Sequence, residues 1–220
     1  MKIAQRIKEI MISTPQNTKL IAVSKTKPQD AIMEAYNAGQ KSFGENRVQE
    51  MVEKYKALPK DIQWHFIGHL QTNKVKNIVP FVHLIHSIDS LKLLQEVNKE
   101  ASKINKVCSC LLQIYIASEE TKFGFSEKEV MEMLESESYK NLRNIQICGL
   151  MGMASFTNQE SVVRAEFKAL KNLFEKVKSN NFDSSESFKE LSMGMSGDYK
   201  IAIEEGSTMI RLGSSIFGQR

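Results

Sequence analysis

Residues 20–67 read LIAVSKTKPQDAIMEAYNAGQKSFGENRVQEMVEKYKALPKDIQWHFI, and two hydrophobic periods alternate along them. Leu20–Lys25, Lys41–Gly44 and Gln63–Ile67 are short runs with the length and composition of strands. Between the last two, Val48, Met51, Val52, Tyr55 and Leu58 recur with the i, i+3, i+4, i+7 spacing of one buried helix face, and Pro59 stops the helix. Pro28 suits the first turn of the preceding helix and Gly39 suits its end. Strands separated by helices long enough to cross back over a sheet predict parallel pairing.

The same alternation continues outward. His83–Ile88, Ser109–Ile116, Ile145–Leu150, Glu190–Met193 and Thr208–Leu212 bring the strand candidates to eight. Ser126 with Glu129, and Thr157 with Glu160, read as capping boxes that open helices. The second leads into Val163, Phe167, Leu170, Phe174 and Val177, spaced by four and three. An extra amphipathic helix carrying Ile3, Ile7 and Ile10 precedes the first strand. Eight strands alternating with helices predict an α/β chain closed into a single (β/α)8 TIM barrel; an open doubly wound sheet is the other arrangement. No linker, charge block or short repeat divides the chain, so residues 1–220 are expected to form one domain, with the polar stretch Asn180–Ser187 as a surface loop.

Composition narrows the function. The formal charge is +4 in 220 residues, with both signs interspersed, which suits a small anionic ligand and lacks the basic stripe of a nucleic-acid binder. No apolar run has the length of a membrane span, and the amphipathic pattern begins directly after Met1, so a cytoplasmic protein is expected. Cys108, Cys110 and Cys148 form no metal-like array and read as buried thiols. His65 and His69 have Gly68 between them, and His83 and His86 are three apart on a strand; neither spacing suits a metal, and none is expected.

In a barrel, function belongs at the C-terminal ends of the strands. Lys25 ends the first strand on the face of Ile21 and Val23, which suits a lysine entering a pocket, where burial leaves more amine neutral and nucleophilic toward an aldehyde; a lysine already in solvent at the strand end is the alternative. On the last strand Met209, Arg211 and Gly213 share one face and Ile210 and Leu212 the other, which points Arg211 into the barrel. A buried arginine needs an acceptor, either a ligand or an internal glutamate. Strand eight closes on strand one, so Arg211 and Lys25 converge on one cavity. The following Gly213-Ser214-Ser215 offers backbone N–H groups to a phosphate, and Ser192-Met-Gly-Met-Ser196-Gly-Asp198 adds hydroxyls beside it. His65 shares parity with Gln63 and Ile67, which allows it to face the cavity beside Asn46; structural hydrogen bonding is the alternative for both.

Several segments have a familiar cast: Ala22-Val-Ser-Lys25-Thr-Lys27-Pro28, Phe43-Gly-Glu-Asn46-Arg47-Val-Gln-Glu50, and Trp64-His-Phe-Ile-Gly-His-Leu-Gln71-Thr-Asn-Lys74. To these add His86-Ser-Ile-Asp89, Glu120-Thr-Lys-Phe-Gly124, Gly149-Leu-Met-Gly-Met153, Leu191-Ser-Met-Gly-Met-Ser196-Gly-Asp198 and Gly206-Ser-Thr-Met-Ile-Arg211-Leu-Gly-Ser-Ser-Ile-Phe-Gly218. In this order they resemble the YggS/PROSC family of pyridoxal 5′-phosphate (PLP) homeostasis proteins over nearly the whole chain. The resemblance implies the barrel of the alanine racemase N-terminal domain (PLP fold type III) and PLP carried on Lys25 as a Schiff base. It further implies that Arg211 faces the pyridine nitrogen, that Ser196, Gly213 and Ser214 hold the phosphate, and that Asn46 and His65 line the pocket. Ser214-Ser215 stands where Thr-Ala is common, which preserves the hydroxyl at Ser214.

An arginine facing the ring nitrogen donates a hydrogen bond and disfavours its protonation, which weakens the electron sink that carbanion chemistry uses without abolishing it, since racemases of this barrel type also use arginine. Racemases of this barrel type take a second base from a further domain, and the chain stops at Arg220. The expectation is therefore a monomeric holder that buffers PLP or delivers it to apo PLP-dependent enzymes, with no robust turnover and no catalytic residues of its own. A PLP-dependent amino-acid racemase of narrow specificity and a Schiff-base aldolase acting on a sugar phosphate are the competing readings. Lys74 and Lys122 are candidate transient second lysines.

Overall fold

The computed structural model describes residues 2–117 and 123–218, so Lys122 and the Glu120–Lys122 part of its motif lie outside the described residues. The strands are β1 (Lys19–Val23), β2 (Ser42–Glu45), β3 (Gln63–Phe66), β4 (Leu84–Ile88), β5 (Cys108–Gln113), β6 (Ile145–Met151), β7 (Glu190–Ser192) and β8 (Met209–Leu212). They pair in parallel in sequence order, and β8 closes on β1 with Ile21 opposite Arg211. Each lies within one to three residues of its predicted span. The (β/α)8 barrel is thus the architecture.

The helices are α1 (Ile3–Ser13), α2 (Gln29–Asn37), α3 (Val48–Ala57), α4 (Val75–Ile78), α5 (Leu91–Ser102), α6 (Glu127–Glu135), α7 (Glu137–Lys140), α8 (Glu160–Asn181), α9 (Tyr199–Glu204) and α10 (Ser214–Phe217). The Ser126–Glu129 capping box forms, with both reciprocal bonds. The Thr157–Glu160 box does not: α8 opens on Gln159, and Thr157 Oγ1 accepts the Gln159 N–H at 3.2 Å instead. Thr157 sits two residues before the N-cap, too early to reach the helix's first donors, and Glu160 pairs with Arg164 one turn on. Helix α8 also runs two residues into the stretch expected as loop, ending at Asn181.

Strand alternation sends alternate residues to two different cores. Outward side chains such as Ala22, Phe43, Trp64, Ile85, Leu112, Ile210 and Leu212 pack under the helices, where α8 contributes Val163, Phe167, Leu170, Phe174 and Val177. The barrel interior has its own small apolar plug of Leu84, Leu111, Met151 and Met209. Around this plug the interior is polar: His65, His86, Ser192 and Arg211 are all buried. The β5–β6 register shifts between Cys110 and Leu111, and Gly149 follows at a φ of +150°. A Cβ there would lie 1.8 Å from the Glu190 carbonyl oxygen, so only glycine lets β6 and β7 approach. Helix α1 closes the outer layer, with the Ile3 N–H bonded to Glu34 and Arg6 to the Ile216 carbonyl.

Candidate functional site

At the C-terminal ends of the strands lies a cavity of about 470 Å³, within the roughly 300–1,000 Å³ of small-molecule sites. Lys25, Asn46, Ser196, Arg211, Gly213 and Ser214 all line it, and Met153, Phe156 and Met195 form an apolar rim. Six of the seven residues singled out from sequence therefore meet in one place. The loops after β1, β2, β7 and β8 supply five of them, and Arg211 stands on β8 itself.

The backbone on either side of Lys25 is fastened from below by a buried ionic cluster. Ser24 Oγ donates to Glu45 Oε1 at 2.6 Å, and the Thr26 N–H donates to Glu50 Oε1 at 2.6 Å. Lys54 Nζ ties these together, donating at 2.7 Å to each of the Ser24 carbonyl, Glu45 and Glu50. Glu45 is wholly buried; burial pushes its carboxyl upward, with Lys54 pulling it back. Thr26 adopts a φ of +63°, unfavourable for a β-branched residue and held by the bond to Glu50. The cluster thus sets the direction in which the chain leaves β1, and with it the point from which Lys25 enters the cavity.

Arg211 is held inside the barrel, its Nη1 donating to Ser192 Oγ at 2.6 Å and its Nη2 to the Gly152 carbonyl at 3.0 Å. Burial lowers its pKa to about 10, with Asp198 opposing, so the guanidinium is charged at neutral pH. Beside it, Ser196 Oγ accepts the N–H groups of Gly213 and Ser215 at 3.3 and 3.4 Å. Two backbone donors therefore converge where two serine hydroxyls also line the cavity, a donor set suited to a phosphate. Asp198 lines the same cavity, with its carboxylate accepting the Met195 N–H and closing that turn. Asn46 Oδ1 is buried without a hydrogen-bond partner in the protein, which suits a residue that completes its bonding with a ligand.

The seventh residue is placed differently. His65 lies outside the cavity lining, buried within the barrel with its Nδ1 2.9 Å from His86 Nε2. Strand parity correctly turns it inward, but its position on β3 is two residues below Ile67, which is the β3-side residue that reaches the cavity. Parity gives the face and not the depth. Ser192, expected to add a hydroxyl beside the phosphate, instead bonds Arg211 and His86 outside the cavity lining, and the sequence reading passed over His86, Glu45, Glu50 and Lys54 as site-building residues. For the last two a signal existed, since Glu50 and Lys54 stand four apart on α3. Among the described residues no group of three His, Cys, Asp or Glu side chains could hold a metal, the cysteines are free thiols, and no helix is long and apolar enough to cross a membrane.

The model of the alanine racemase N-terminal domain family matches residues 1–220. The pyridoxal phosphate homeostasis protein of Aquifex aeolicus is 42% identical over 203 residues, covering 92% of this chain and 87% of that protein. The protein of the same name from Synechocystis is 42% identical over 214 residues, covering 96% of each. The structure of PipY from Synechococcus elongatus with PLP bound superposes with a TM-score of 0.88 at 34% identity, covering 99% of this chain and 100% of that one. Alanine racemase of Clostridium difficile, at 14% identity and a TM-score of 0.76, shares the fold; this chain spans 57% of its length. The chain belongs to the family of pyridoxal phosphate homeostasis proteins, built on the alanine racemase N-terminal barrel.

Proposed function

We propose that this chain binds PLP in the cavity at the top of its barrel, on Lys25, and acts in PLP homeostasis as a single-domain, monomeric cytoplasmic holder that buffers the cofactor or passes it to apo PLP-dependent enzymes. The observation that carries the reading is the meeting of Lys25, Arg211 and the Ser196–Gly213–Ser214 cradle around one small cavity. Bound there, the cofactor supplies an aldehyde that condenses reversibly with an amine and a pyridine ring that delocalises charge. Lys25 presents the amine from a backbone fixed by the Glu45–Lys54–Glu50 cluster. Ser196, Ser214 and the N–H of Gly213 would hold the phosphate, and Asn46 would turn its unpartnered oxygen toward a donor on the cofactor.

Arg211 favours holding over turnover without abolishing chemistry. Anchored on Ser192 and the Gly152 carbonyl, its guanidinium stays charged and presents donors only. Toward a pyridine nitrogen it would donate a hydrogen bond and disfavour protonation, which would weaken the electron sink used in racemisation or decarboxylation. The test is to load the protein with PLP, mix it with an apo-transaminase, and follow reactivation alongside a panel of amino acids incubated with the loaded protein alone. Reactivation without racemised or decarboxylated product supports the holder; steady product formation abolished by Lys25→Ala replaces it with an enzyme.

A further inference from the structure

Behind Arg211 a file of hydrogen bonds crosses the barrel interior and takes no part in lining the cavity. Arg211 Nη1 donates to Ser192 Oγ at 2.6 Å, Ser192 Oγ meets His86 Nδ1 at 2.9 Å, and His86 Nε2 meets His65 Nδ1 at 2.9 Å. The file joins β8, β7, β4 and β3, so one link spans strands that are not neighbours in the sheet. All four side chains are buried. The His65 ring ends the file, with its Nε2 unpartnered in the protein and the His83 ring 5.2 Å away.

The direction of every link follows from Arg211. A guanidinium has five N–H donors and no acceptor. The serine oxygen therefore accepts from Arg211, and the acceptor within reach of its own proton is His86 Nδ1. A neutral His86 then carries its proton on Nε2 and donates to His65 Nδ1, which places the His65 proton on Nε2. The forward order leaves one buried group unsatisfied, the His65 Nε2–H, whereas reversing the histidines would leave two, the Ser192 proton without an acceptor and the His65 Nε2 lone pair without a donor. Burial keeps both rings neutral: it pushes His86 well below the usual histidine value, and His65 down to about 3.

We infer that His65, His86 and Ser192 form a one-directional relay whose function is to aim the Arg211 guanidinium at the cofactor cavity, with His86 a positioning residue that acts through Ser192. Only the relay's consequence at the pocket rests on the reading of that pocket as a PLP site; its direction does not. If the hydroxyl of Ser192 loses His86 it can rotate, and the charge-assisted bond that fixes Arg211 loses its orientation. His86→Leu removes both links. His86→Gln keeps one acceptor and one donor on a flexible chain.

The test uses the intact protein labelled with 15N-histidine. In the wild type at neutral pH, with and without PLP, the nitrogen shifts of His65 and His86 should both report a proton on Nε2 and none on Nδ1. A proton on Nδ1 of either ring overturns the relay, whatever the protein does with PLP. In a parallel absorbance titration, His86→Leu should weaken PLP binding roughly tenfold while borohydride still traps the cofactor on Lys25, and His86→Gln should recover most of that loss. Equal affinity in wild type and His86→Leu overturns the positioning role. Failure of the wild type to take up PLP removes the proposed function of the site, and the tautomers then decide the relay alone.

Discussion

Replacing Lys54 with methionine tests how the lysine-bearing strand is held. Lys54 is almost wholly buried and makes three bonds of 2.7 Å, to the Ser24 carbonyl, Glu45 and Glu50. Methionine keeps the length and apolar stem and removes the charge. Glu45 would then remain fully buried with only the Ser24 hydroxyl on one oxygen, its Oε2 already lacking a partner. Removing one member of a buried pair costs about 3–5 kcal/mol. For a chain of this length that is a fall of roughly 6–20 °C in Tm. The pH dependence has a definite sign. Burial raises the Glu45 carboxyl above its ordinary 4.5 and Lys54 opposes the rise, so in Lys54→Met only the Ser24 hydroxyl still opposes it and the rise is larger. A carboxyl raised in the fold binds its proton more tightly there than in the unfolded chain. Its contribution is therefore most favourable below the unfolded value and is lost as pH climbs from there through the folded one. Urea unfolding should show a smaller deficit near about pH 5 than near about pH 8, and adding Glu45→Gln should recover most of the loss at the higher pH. A deficit below about 1 kcal/mol at both pH values, or no recovery in the double variant, would refute the cluster as the anchor of this segment.

Ser196→Ala removes the oxygen on which two backbone donors converge; PLP affinity should fall about tenfold in an absorbance titration while affinity for pyridoxal, which lacks the phosphate, is unchanged. Arg211→Lys retains a charge that cannot span Ser192 and the Gly152 carbonyl together, so about 1–3 kcal/mol of stability should go in urea unfolding, with weaker PLP binding. Gly149→Ala sets a Cβ against the Glu190 carbonyl at an unfavourable φ and should cost about 3 kcal/mol or more; a loss below about 1 kcal/mol would mean β6 and β7 have room to part.

The fold was legible because barrel physics writes itself into short-range pattern: each strand's outward residues and each helix's buried stripe recur locally, and all eight strands appear close to where period and turn residues put them. The cavity was largely legible for the same reason, since parity and chain closure bring Lys25 and Arg211 together. What was not legible depends on pairings without a local signature. Ser192 and His86 meet across 106 residues, and Lys54 reaches Glu45 from the next element. His65 shows the limit most clearly: its inward direction follows from alternation, but its depth in the barrel follows from strand stagger, which no single strand records. Thr157 shows a smaller one, a capping motif displaced from the helix's N-cap by two residues.

The most direct measurement is the visible absorbance of the purified protein beside Lys25→Ala, followed by borohydride reduction and peptide mapping. The account predicts a yellow band in the wild type, its loss in the variant, and a reduced pyridoxyl adduct on the peptide that contains Lys25. A wild-type protein that stays colourless with added PLP, or an adduct found on another lysine with Lys25 unmodified, would contradict it.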